Sequence, residues 1–118
     1  MLSLLEFAQA VSMDLEATLA RFGQNQGLLL RFLRQFPQDE SMSLVTSSLA
    51  KGDDHGLEYA AHSLKGLSAN LGLGQVYQDS SRLVKAVREK DHASFAQLAA
   101  QLEKSHRAAV EAVSQLEG

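Results

Sequence analysis

Apolar residues recur three and four positions apart along most of this chain, and that period limits what it can fold into. The clearest run is Leu73, Val76, Tyr77, Ser80, Leu83, Val84 and Val87, which follows the i, i+3, i+4, i+7 pattern of one helix face without a miss. A strand turns alternate residues to opposite faces, so a sheet cannot bury such a stripe. Val and Ile are sparse and there is one proline, whereas Ala, Leu, Gln, Glu, Arg and Lys are abundant. The chain is therefore expected to be all-α.

The same period, read with the helix stop signals, divides the chain. Ser3 and Glu6 have the spacing of a capping box, which predicts a short helix from Leu4 that ends near Ser12. A second short helix is expected from about Asp14 to Phe22, with Leu15, Leu19 and Phe22 inward and Gly23 as its stop. Asn25 can cap a third, whose stripe is Leu28, Leu29, Phe32, Leu33 and Phe36. Pro37 breaks that stripe near Phe36 to Asp39, and Met42, Val45 and Leu49 resume it in a different phase in a helix to about Ala50, closed by Lys51 and Gly52. Leu57, Ala60, Ala61, Leu64, Ser68 and Leu71 mark a central helix that starts at Asp53 and Asp54 and ends at Gly72. The run from Leu73 should reach about Glu89, and after the polar turn Lys90, Asp91 and His92 a last helix carries Phe95, Leu98, Leu102, Ala109, Val113 and Leu116.

Short connections between long helices imply antiparallel neighbours. The expected architecture is an antiparallel up-and-down four-helix bundle with short N-terminal helices packed on it. The 118 residues suit one domain, 1–118, since they can bury one working core but not two. Eleven basic residues against 14 acidic ones, with no Lys/Arg cluster, argue against nucleic-acid binding. No apolar run is long enough to span a membrane, and the N-terminus lacks the pattern of a signal peptide. Cysteine is absent, so neither disulfides nor thiolate metal sites are available. A cytoplasmic protein, monomeric and without a membrane partner, is expected.

The stretch from Ala60 to Gly72 breaks a local rule. Gly66 lies mid-helix, where glycine costs about 1 kcal/mol relative to alanine. At about 100° per residue from Leu57, Leu64 and Leu71 fall within about 40°, whereas His62 lies near 140° and Gly66 near 180°. His62 is thus expected in solvent, with Glu58, Tyr59, Lys65 and Ala69 on its side of the helix. Gly66, opposite the core stripe, has no packing reason to be glycine. What it can do is leave the space beside the imidazole open.

An exposed imidazole is largely neutral at cellular pH and keeps a lone pair for nucleophilic attack. No serine or cysteine occupies a nucleophile motif, and only Glu58 accompanies the ring as an acid–base group, so hydrolysis is poorly supported. Phosphoryl transfer needs an in-line nucleophile, room for the donor and a cation for the oxygens, and Lys65 can be that cation. His55, at i−7 from His62, is too far along the helix to share one metal ion, and Glu58 with His62 gives only two ligands, so no metal site is expected. His106 falls at the edge of the last apolar stripe and is expected as a boundary or core histidine. His92 is expected to be simply exposed in a turn.

The segment AHSLKGLSANLG resembles the motif of histidine-containing phosphotransfer (HPt) domains of two-component phosphorelays. The stretches LARFGQNQGLLLRFLRQF and AKGDDHGLEYAAH resemble that family's entry into its first bundle helix and its approach to the histidine. The resemblance implies that His62 is the phosphoacceptor, taking a phosphoryl group from a receiver-domain aspartyl phosphate and passing it to another receiver. It implies that Lys65 steadies the phosphate and Gly66 gives clearance. Partners would be receiver domains of a hybrid sensor kinase and of a response regulator, docking around Glu58, Tyr59 and Ala69, with Leu67 nearby. Mg²⁺ would belong to the receiver, and the chain would need no cofactor of its own. No nucleotide-binding loop is present, so the protein would be a phosphocarrier without its own kinase or phosphatase site. The family often has a polar residue where Val84 follows Leu83 here, which leaves Gln75, Gln78 and Arg82 as unranked phosphate supports. The alternative function is a non-catalytic helical adaptor that binds a signalling partner through the His62 face.

Overall fold

The computed structural model describes residues Met1–Gly118 and is helical throughout, with a lone bridge between Leu2 and Leu116 in place of any sheet. Seven α-helices follow one another: α1 (Leu4–Ala10), α2 (Leu15–Arg21), α3 (Gln26–Gln35), α4 (Ser41–Lys51), α5 (Asp54–Leu71), α6 (Gly74–Arg88) and α7 (His92–Ser114). A 3₁₀ turn, Phe36–Gln38, contains Pro37 and separates α3 from α4. Proline has no N–H to give the helical ladder, so the chain changes direction there and the apolar phase resets.

The helix starts are chemically explicit. Ser3 and Glu6 form the reciprocal capping box, and Asp14, Asn25 and Asp53 each accept a backbone N–H from the first turn that follows. The stops use the left-handed region at Gly52 (φ 68°) and Gly72 (φ 73°). Tight turns join α4 to α5, α5 to α6 and α6 to α7, so successive helices run antiparallel. α4 packs on α5 and α7, and α6 packs on the same two, which closes a four-helix ring. α7, with 23 residues and about 35 Å of rise, runs most of the 41 Å length of the molecule.

One hydrophobic core runs from Phe7 to Leu116. α5 contributes Leu57, Ala60, Ala61, Leu64, Ser68 and Leu71, all buried, which is the stripe that periodicity assigned to it. Buried Ser68 and Ser80 donate to carbonyls one turn back, Leu64 O at 2.8 Å and Val76 O at 2.7 Å. No buried side-chain polar atom lacks a partner.

Three sequence expectations are corrected, and one buried carboxylate joins the core unforeseen. In α2 the buried residue is Thr18, while Leu15, Leu19 and Phe22 are only half-buried. Thr18 can go inside because its hydroxyl donates to Asp14 O at 2.8 Å. Phe32 is 41% exposed and Tyr77 39%, because each lies at the edge of its stripe where no further helix covers it. Phe32 instead rests against Phe22, with ring centroids 5.7 Å apart. Asp79 in α6 is buried, its carboxylate taking hydrogen bonds from Gln75 (3.2 Å) and Arg82 (3.3 Å). Finally, His92 is not a plain turn residue: it is the first residue of α7 and pairs with Asp54 at the start of α5.

Candidate functional site

Three devices hold the middle of α5 in position. Its buried stripe sits between α4 and α6. At its N-terminus Asp53 caps the first turn, and the Asp54 carboxylate meets His92 Nε2. At its C-terminus Arg21 of α2 donates to Ala69 O (2.9 Å) and Asn70 O (3.3 Å), carbonyls of the last turn, where the helical ladder runs out of donors. The helix is thereby tied at both ends.

Its outer face carries the residues that the sequence singled out. His62, Gly66, Tyr59 and Ala69 are exposed, and Glu58 and Lys65 are partly exposed. His62 lines a surface hollow with His55, Glu58, Tyr59 and Ser63. The ammonium of Lys65 makes no ion pair, so it is available to an anion one turn C-terminal to the imidazole. Gly66 has open space around it: a Cβ there would meet no atom within 4 Å. Neither close packing nor a positive φ requires glycine at this point, in contrast to Gly72.

The structure separates the three possible phosphate supports on α6. Gln75 and Arg82 are bound to Asp79 in a groove between α6 and α7 that Gln101 and Lys104 also line, on the flank away from α5. Gln78 is exposed on α6. The α6 side chain that does reach across to α5 is Arg88, whose Nε donates to Glu58 Oε2 at 3.1 Å. The sequence reading missed it. A signal was available, since Glu58 and Arg88 lie almost equally far on either side of the Gly72–Leu73 turn and an antiparallel hairpin brings them level.

His55 and His62 share the hollow, but no three His, Cys, Asp or Glu side chains gather where they could hold a metal ion. His106 is half-buried with its ring tilted against Phe36 (centroids 5.2 Å apart), and burial lowers its pKa against the opposing pull of Asp39 and Glu103. That is the boundary position expected for it. The hydrogen bond to Asp54 raises the pKa of His92, whose ring also lies 4.7 Å from that of Phe95.

No helix is long and apolar enough to cross a membrane. No curated protein and no solved structure shows significant similarity to the chain. The Hpt domain family profile matches residues 27–116, which span all of α3 but its first residue, the whole helical ring and the His62 face. Since the match covers well over half of the sequence, the chain belongs to the Hpt domain family of phosphotransfer domains in two-component signalling.

Proposed function

We propose that this protein is a phosphorelay carrier in which His62 is the phosphoacceptor. A neutral ring nitrogen of His62 attacks the phosphorus of a receiver's aspartyl phosphate. The N–P bond forms as the P–O bond to the aspartyl carboxyl breaks, the carboxylate leaves with the electron pair, and the ring releases its N–H proton to solvent. Transfer to a second receiver reverses these bonds on another aspartate. Lys65 screens the phosphoryl oxygens, and Gly66 leaves room for the receiver to approach in line. Mg²⁺ belongs to the receiver's acidic pocket. Glu58, Tyr59 and Ala69 form part of the docking surface.

The observation that carries this reading is one exposed face of α5 on which an imidazole, an unpaired ammonium and a glycine free of neighbours follow within about one turn. The test mixes the protein with a phosphorylated receiver and, separately, with ATP alone. Label should arrive from the receiver and none from ATP, and His62→Gln should abolish acceptance while changing stability by less than about 0.5 kcal/mol. Label from ATP alone would contradict a carrier role.

A second reading, a helical adaptor without chemistry, draws on Tyr59, which is 68% exposed in the same hollow. It requires the His62→Gln protein to keep full function in the cell.

A further inference from the structure

Two ion pairs tie α5 to its neighbours, Asp54 to His92 of α7 and, one turn further on, Glu58 to Arg88 of α6. The second lies beside the candidate nucleophile. Glu58 is four residues before His62, on the same face and in the same hollow. A bare carboxylate there would oppose an incoming phosphoryl group, and the guanidinium of Arg88 offsets its charge. The attachment is slight: Nε alone makes the contact, at 3.1 Å, and the two Nη groups have no hydrogen-bond partner in the protein. Both side chains are substantially solvated, 52% exposed for Arg88 and 40% for Glu58. Such a pair contributes little and opens readily.

We propose that Glu58 and Arg88 form a charge switch: once His62 carries a phosphoryl group, Arg88 releases Glu58 and binds the phosphoryl oxygens. This inference rests on His62 as the phosphoacceptor. The reasons are geometric and electrostatic. The fork of N–H donors on a guanidinium matches phosphate oxygens in pairs, whereas here it holds a carboxylate by one bond only. A phosphoryl group carries more negative charge than a carboxylate and would sit one turn from the present contact, about 5.4 Å along α5. The switch would bring the polar support from α6 that Val84 does not supply. It would also leave Glu58 unpaired in the phosphorylated protein, so that a receiver meets a different charge pattern before and after transfer.

The test does not depend on a receiver. Potassium phosphoramidate phosphorylates histidine directly, and the ¹⁵N–¹H signal of the Arg88 Nε–H reports its partner. In the wild type that signal should move when His62 is phosphorylated, and in His62→Gln it should stay put under the same treatment. A cation beside the phosphoryl group opposes the ring protonation that hydrolysis needs. Arg88→Ala should therefore shorten the lifetime of the phosphohistidine, by about threefold for an exposed charge contact. Lys85→Ala, which removes an exposed cation one turn away on α6, should leave it unchanged. An Arg88 signal unmoved by phosphate on His62, or an Arg88→Ala lifetime equal to that of the wild type, overturns the switch. A phosphorylated receiver that fails to label the wild type counts against the relay reading and leaves the phosphoramidate result standing.

Discussion

Gly66 and Gly74 are both helical glycines, eight positions apart, and their surroundings are opposite. A Cβ on Gly66 would meet nothing within 4 Å, whereas one on Gly74 would overlap the carbonyl oxygen of Ser12. Gly74 sits where the loop between α1 and α2 presses on the start of α6, and Gln75 N donates to Val11 O beside it at 3.3 Å. There the missing side chain is a packing requirement. At Gly66 the frame gains nothing from glycine and loses about 1 kcal/mol of helix propensity. The comparison separates a glycine the fold needs from one it does not.

The same kinds of substitution at the two glycines should therefore give opposite results. The largest effect is expected from Gly66→Gln, which fills the space beside His62. It should slow phosphotransfer from a receiver by about tenfold or more in single-turnover assays, the scale on which misplacement of reacting groups costs rate, and leave the folded state intact. Transfer at the normal rate would remove the clearance argument. Gly74→Ala should lower stability by about 1–3 kcal/mol, the cost of forcing a methyl group into a packed contact, as read from urea midpoints. Gly66→Ala should instead raise stability by up to about 1 kcal/mol. If it destabilised the protein, Gly66 would have a structural role after all.

The smallest expected effect compares the ends of the frame through its histidines. His92 has a raised pKa, chiefly from its hydrogen bond to Asp54, so its contribution is fully present below the unfolded value near 6.5 and is lost as pH rises through the folded value. His106 has a lowered pKa, chiefly from burial, so its contribution is present above 6.5 and is lost as pH falls through its folded value. Urea midpoints measured from about pH 5 to 8 should lose the alkaline decline in Asp54→Asn and the acid decline in His106→Gln. Unchanged profiles would mean that neither contact is maintained in solution.

Much of this was legible beforehand because its causes are local. Capping at Ser3 and Asn25 depends on side chains within three residues of the N–H they bind. The buried stripe of α5 follows from rotation along one helix, and so does the exposure of His62 and Gly66 opposite it. Errors came where burial depends on a neighbouring helix. Phe32 and Tyr77 fit their stripes but lie at uncovered edges, and Thr18 and Asp79 are polar yet buried because nearby groups bond them.

By itself the sequence determined an all-helical chain, the break at Pro37, the ends of α5 and the side of that helix on which His62, Lys65 and Gly66 stand. These follow from backbone rise and rotation, and a helix carries them wherever it is packed. Only the tertiary structure decided that Arg88 meets Glu58, that His92 meets Asp54, that Arg21 caps the far end of α5 and that Gln75 and Arg82 face α7. Those contacts join residues distant in the chain or choose between flanks of one helix, and helical period does not encode which neighbour each flank will find.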